Sequence, residues 1–408
     1  MKFNTKRTIL IGLAFFSICA FWQFYDNEIP KILKNTFGMK ETMTGFIMSL
    51  DNILALFLLP LFGRWSDKTN TKIGKRMPFI LVGTFLACGL LILLGHITKL
   101  GPFIFCLLLL LVAMGIYRSP AVSLMADLTP APLRSQGNAI INLMGALGCI
   151  CTLILIKVLL KNDQYLPLIY ALVILMLASI LLLFKMVPEK KLEDEMGTPS
   201  QTEEEKAIEA SKGKKMPKAV QHSLLAILLA VFFWYCAYNA VTTAFSRYVE
   251  QVWQLQNGAY ADCLMVGTVA AVVSYLPVGH VAQKIGRKKT ILFGIGCMIL
   301  AYGLVCFVNQ YTTMISILFA LVGIGWASIN VNSYPMVVEM SQVGDIGMFT
   351  GLYYTFSMAA QVFTPIASGF LLEHVGYQTL FPYAAFFMIL AGITMLRVHH
   401  GDIEKKNS

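Results

Sequence analysis

Apolar runs long enough to cross a membrane recur twelve times along this 408-residue chain. They fall at 8–30, 43–64, 77–97, 102–126, 136–158, 166–187, 222–247, 259–283, 289–308, 311–338, 347–372 and 379–398. About twenty residues of helix span the roughly 30 Å hydrocarbon core of a bilayer. Backbone groups in that core have no water to bond, so each run must satisfy its own polar groups as an α-helix. Composition agrees: 57% of the residues are hydrophobic and 13% charged, against roughly half and a quarter in a soluble domain. The first run follows Lys2, Lys6 and Arg7 without a small-residue cleavage site, so it is expected to act as its own insertion signal.

One hydrophilic stretch interrupts the pattern. Residues 188–221 carry dense charge of both signs and too little apolar surface to bury a core. They divide the chain into an N-terminal bundle (1–187), a cytoplasmic linker (188–221), a C-terminal bundle (222–398) and a cytoplasmic tail (399–408). With both termini inside, the inner segments hold 24 of the 32 Lys and Arg residues. The net charge of +10 is therefore a positive-inside signature, not a nucleic-acid footprint. The expectation is a multi-pass protein of the plasma (inner) membrane with both termini cytoplasmic, a monomer whose partners are lipid and a small molecule.

The two bundles repeat each other. Gly63-Arg-Trp-Ser-Asp67 through Gly74-Lys75-Arg76 links spans two and three. Gly279 through Gly286-Arg287 links spans eight and nine at an offset of about 212–217 residues. Asp127 at the end of span four matches Glu339 at the end of span ten, and Tyr25-Asp26 matches Tyr238-Asn239. Parallel six-span repeats are a transporter plan that puts the substrate at the midplane. The fold expected is all-α and integral to the membrane, with twelve transmembrane helices in two six-helix pseudo-repeats. Gly63, Asp67, Gly74, Lys75, Arg76, Asp127, Arg134, Gly286, Arg287 and Glu339 read as gating elements at inner helix ends, where carboxylate–cation clusters can latch one state and release it in another.

Other chemistries find no support. The nine cysteines form no zinc or redox pattern. The Gly-Ile-Gly pairs at 294–296 and 323–325 lie within spans and lack the Lys-Ser/Thr of a phosphate loop. No Ser-His-Asp or His-Glu-x-x-His arrangement is present, so an enzyme is not expected, nor a metal or organic cofactor. A proton or another cation is the expected coupling ion.

The doubled loop motif resembles the signature of the major facilitator superfamily. More narrowly, residues 50–80 and 117–148 are similar to the sucrose-carrier and glycoside–pentoside–hexuronide:cation symporter branch. The resemblance implies the major facilitator fold and secondary active transport of a sugar or glycoside, a disaccharide such as sucrose or maltose, usually coupled to protons. Plant sucrose carriers have an Asp early in span four and an Arg near its inner end. Here those positions read Leu111 and Val122, with Arg118 about one turn from the latter, and Gln283 stands where the first repeat has Asp67. That branch's proton-coupling residue is therefore not carried over. A facilitator or exporter of another small solute, or a transport-like sensor without flux, are the alternatives.

Polar groups within spans are costly and are functional candidates by default. Asp51 stands sixteen residues, or ~24 Å, above Asp67, and Asp26 nineteen residues, or ~28 Å, beyond Arg7. Two carboxylates at one depth repel each other's charge, and burial disfavours it further. Asp51, and then Asp26, are the proton-coupling candidates. Arg118 lies nine residues before Asp127, ~13 Å from the inner surface. It must pair with a carboxylate such as Asp51 or Asp26, or face the aqueous cavity and bond sugar hydroxyls. A sugar site needs aromatic platforms and amides. The further substrate-binding candidates are Trp22, Gln23, Tyr25, Asn52 and Asn142 in the first bundle. In the second they are Trp234, Tyr235, Tyr238, Asn239, Asn330, Asn332, Tyr353 and Gln361.

Overall fold

A computed structural model describes residues 4–128, 134–161, 164–196, 217–308, 310–340 and 346–402. The described chain is helical, with no strand beyond an isolated bridge between Thr71 and Gly74. Six long helices come first: α1 (Thr5–Asn35), α2 (Glu41–Lys68), α3 (Met77–His96), α4 (Leu100–Asp127), α5 (Arg134–Leu159) and α6 (Leu166–Met186). A short helix, α7 (Glu189–Met196), opens the hydrophilic stretch. Six more follow: α8 (Lys218–Gln251), α9 (Tyr260–Ile285), α10 (Arg287–Val305), α11 (Thr313–Val338), α12 (Ile346–His374) and α13 (Leu380–Leu396). Twelve of these are long and apolar enough to cross a membrane.

The helix ends follow local chemistry. The Asn4 side chain accepts the Arg7 amide and caps α1. Pro78 and Pro167 stand in the first turns of α3 and α6, where the missing N–H costs nothing. Gly74 and Gly286, with φ of 115° and 100°, make the turns before α3 and α10 in a backbone region that side chains disfavour.

The described helices form two compact units. Unit 1 comprises Met1–Gly38, Leu50–Pro199 and Gln256–Ala261; unit 2 comprises Met39–Ser49, Ser200–Leu255 and Asp262–Ser408. In unit 1, α1 packs on α5 and α6, and α3 packs on α4 and α6. In unit 2, α8 packs on α12 and α13, and α10 packs on α11 and α13. The same pairings thus occur in each unit at equivalent helices, which is the sequence repeat expressed as packing.

In lipid, apolar burial does not draw helices together, so close backbone approach and interhelical hydrogen bonds must. A Cβ on Gly148 of α5 would meet the Phe16 carbonyl of α1, and one on Gly323 of α11 would meet the Gly267 carbonyl of α9. Hydrogen bonds fix α1 further. Thr152 Oγ1 donates to the Ala20 carbonyl at 3.0 Å and Tyr117 Oη to the Ala14 carbonyl at 2.8 Å. These contacts set the rotation of α1, and with it the direction in which Trp22, Tyr25 and Asp26 point.

Candidate transport site and gates

Unit 1 gathers six of the candidates into one cluster. Arg118 of α4 lies over the Trp22 indole of α1, its Cζ 5.5 Å from the ring centroid. Trp22 meets Tyr25 edge-on at 5.2 Å. On α2, Asn52 Nδ2 donates to Asp51 Oδ1 at 2.7 Å, which orients that carboxylate. The Arg118 charge reaches both Asp26 and Asp51, and the two carboxylates feel each other. Asp26, Asp51, Asn52 and Arg118 keep partial exposure. Trp22 Nε1 and the Tyr25 hydroxyl, in contrast, are buried without a hydrogen-bond partner. Such groups are expensive to leave unmade, and donors held ready beside a cationic guanidinium suit a polyhydroxyl guest. With both carboxylates ionised the cluster carries a net −1, and one proton brings it to neutrality.

Unit 2 has the equivalent place built from aromatic groups. Tyr238 stacks on Trp326 at 3.8 Å and an interplanar angle of 5°, and Tyr235 meets the same indole edge-on at 5.4 Å. The Tyr353 and Ser333 hydroxyls lie 3.0 Å apart in hydrogen-bonding contact. Asn239, which matches Asp26, has its Nδ2 buried without a hydrogen-bond partner. Trp326 was not among the sequence candidates. Its signal was a lone tryptophan after Gly-Ile-Gly, one turn before the position that matches Arg118.

The remaining candidates have other surroundings. Trp234 is wholly enclosed in the packing of unit 2. Asn332 Nδ2 bonds the Ser328 carbonyl and Gln361 Nε2 the Ser357 carbonyl, each along its own helix. Gln23 and Asn330 are half-buried, and Asn142 is exposed on α5.

The loop motif folds into an ion cluster. Arg76 Nε donates to Asp127 Oδ2 at 2.8 Å, its Nη2 contacts Asp67, and its Nη1 reaches Ser66 and the Gly63 carbonyl. Lys75 Nζ stands 3.3 Å from Asp127. Burial of Arg76 works against its charge, but bonds to Asp127 and Asp67 outweigh that and hold its pKa above the ordinary value. Unit 2 repeats the pair, with Arg287 Nη1 3.1 Å from Glu339 Oε1. Gln283, at the Asp67 position, is exposed. The Arg134 side chain lies outside the described residues.

Two further acids complete the repeat. Glu189 accepts the backbone amides of Lys75, Arg76 and Met77 at 3.0, 2.8 and 2.8 Å. Asp402 accepts the Arg287 amide at 2.5 Å. Each carboxylate caps the helix that follows the positive-φ glycine, where the helix dipole favours negative charge. The offset between Glu189 and Asp402 is that between Asp26 and Asn239, a signal present in the sequence and unused there.

The other end of α2 carries a buried ion pair. Arg247 Nε donates to Glu41 Oε2 at 3.0 Å, the Tyr377 hydroxyl donates to Glu41, and Glu373 accepts the Thr42 amide at 3.0 Å. All lie in unit 2. Unit 1 holds a similar group, in which Tyr260 donates to Glu28 and Lys31 Nζ stands 3.5 Å from that carboxylate.

Against this geometry, a family model described as MFS/sugar transport protein matches residues 11–396. The chain belongs to this family. Among curated relatives, a sucrose transport protein of Arabidopsis thaliana, SUC3, is 31% identical over 135 residues, covering 28% of this chain and 23% of the carrier. An uncharacterized MFS-type transporter of Mycobacterium tuberculosis is 26% identical over 126 residues, covering 31% and 18%. The matched stretches thus span about a quarter or less of those relatives' lengths. Among solved structures, the nucleoside transporter NupG superposes with a TM-score of 0.71 at 13% identity, covering 96% of this chain and 99% of that one. A bacterial homologue of ferroportin gives 0.70 at 13% identity, covering 97% and 99%. These likenesses bear on the fold alone. Among the described residues this family member has twelve helices long and apolar enough to cross a membrane.

Proposed function

We propose that this family member moves a sugar or glycoside, a disaccharide such as sucrose or maltose, across the plasma membrane by alternating access coupled to a proton. The observation that carries the reading is the unit 1 cluster: two carboxylates within Coulombic reach of one guanidinium that itself caps an indole. Arg118 balances one negative charge. The second carboxylate is balanced by a proton, and Asp51 is assigned its release because the Asn52 amide, donating to Asp51, stabilises the carboxylate left behind. Loss of the proton restores the net charge and disfavours the occluded state, since an uncompensated charge is costly in a closed, poorly hydrated site. Trp22 and Tyr25 give the sugar an apolar face and hydroxyl-bonding edges.

The ion clusters then serve as latches. Arg76 with Asp67 and Asp127 holds the turn between α2 and α3, and Glu41 with Arg247 and Tyr377 holds the far end of α2. Neither can stay fixed through a cycle that exposes the site alternately to the two sides. In this reading both termini are cytoplasmic and a single chain suffices for transport.

Uptake of radiolabelled sucrose and maltose by cells making the protein, with and without a protonophore, tests the proposal. Accumulation that collapses with protonophore supports it. Uptake that ignores protonophore contradicts proton coupling, and no uptake of either sugar contradicts the substrate class.

A further inference from the structure

The end of unit 1 that carries the Arg76 cluster also holds a cavity of about 690 Å³, within the ~300–1,000 Å³ usual for small-ligand sites. Lys72 and Ile73 of the turn between α2 and α3, Phe184 of α6, and Glu189, Lys190 and Lys191 of α7 all line it.

Its charge favours an anion. Three lysines and one glutamate line it, and the glutamate's carboxylate is already committed: Glu189 accepts the amides of Lys75, Arg76 and Met77. Lys190 is braced by Asn70 at 3.2 Å. Lys72 and Lys191 are exposed at the rim.

Its position favours a lipid over a soluble anion. Phe184 lies in the last turn of α6, which ends at Met186, so the cavity opens where a membrane span meets water. The neighbouring surface is apolar and uncovered, with Phe184 40%, Met186 45% and Leu182 47% exposed. A free phosphate would use only the lysines. A phospholipid uses both surfaces, its headgroup among the ammonium groups and its acyl chain along α6, and basic pockets at membrane boundaries recognise anionic headgroups in this way.

We propose that this cavity binds the headgroup of an anionic phospholipid, with Lys72, Lys190 and Lys191 around the phosphate and an acyl chain against Phe184. Bound there, the lipid braces the turn between α2 and α3 from outside, beside Glu189. The proposal is independent of which solute is transported.

Native mass spectrometry of the purified full chain, titrated with phosphatidylglycerol or with phosphatidylcholine of the same acyl chains, tests it. Phosphatidylglycerol should be retained preferentially. The double substitution Lys72→Gln/Lys191→Gln should weaken its binding roughly thirtyfold, as loss of two lysines at about 1 kcal/mol each implies. The matched pair Lys99→Gln/Lys161→Gln, on loops at the other end of unit 1, should leave it unchanged. Phe184→Asn should also weaken lipid retention. Millimolar inorganic phosphate should not displace the lipid. Equal retention of the two lipids, equal loss in both double variants, or displacement by inorganic phosphate would each overturn the proposal, the last by showing a site for a free anion.

Discussion

Arg118 rests on the face of Trp22, its guanidinium carbon 5.5 Å from the ring centroid, and among the described residues it forms no ion pair within 4 Å. From sequence, Arg118 at that depth needs a carboxylate partner or an aqueous cavity. The structure places the cation on an indole with Asp26 and Asp51 nearby but not in contact. A cation–π contact of this kind is worth ~0.5–2 kcal/mol, enough to hold the side chain while leaving its N–H donors for a guest. Arg118→Lys keeps the charge and loses the planar donor array, so it should cut sugar uptake at least tenfold while expression and thermal midpoint stay near wild type. Uptake assays beside a melting curve check this.

Asp51 is the proton carrier in the proposed cycle. Asp51→Asn keeps the shape and the bond to Asn52 but removes the titrating group. It should abolish accumulation against a gradient and retain exchange of internal for external sugar. Unaltered accumulation would remove Asp51 from that role.

Glu189 joins the hydrophilic stretch to the gate through three backbone amides. Glu189→Ala leaves those buried donors unsatisfied, at a cost of about 1–3 kcal/mol. The thermal midpoint should fall, with a smaller fall for Glu189→Gln, which keeps an acceptor oxygen. The repeat predicts the same order at Asp402 for Ala against Asn.

Glu41 and Arg247 form a buried pair, and breaking one side strands the other charge. Glu41→Gln and Arg247→Gln should each lower stability by a few kcal/mol, about 3–5 in well-buried cases. The double substitution should cost less than the two singles together. A double-mutant cycle by thermal unfolding reads the coupling, and strict additivity would mean the pair contributes nothing.

The twelve helices were legible because the bilayer imposes a length on apolar runs. Helix ends were not. α1 runs to Asn35 and α8 from Lys218 to Gln251, beyond the apolar runs at 8–30 and 222–247, because packed polar turns continue a helix that composition cannot see. The site was half legible. Asp26, Asp51 and Arg118 stood out because ionisable groups in spans are rare, and the structure gathers them. Trp234 looked equivalent to Tyr235 in sequence, but one step around α8 turns it into the packing. Trp326 was missed because its signal, a place one turn before the Arg118 equivalent, shows only once the repeat is aligned through span ten. Glu41 was hidden because nothing local ties it to Arg247, whereas Glu189 was marked only by its repeat match to Asp402 and otherwise reads as one acid among many.

In the proposed cycle sugar and proton enter together through the Asp26–Asp51–Arg118 cluster. The direct measurement is external pH in a weakly buffered suspension of cells making the protein, on addition of sucrose or maltose. A transient alkalinisation is expected with wild type and none with Asp51→Asn. Sugar entry without any pH change, or an alkalinisation that persists in Asp51→Asn, would contradict it.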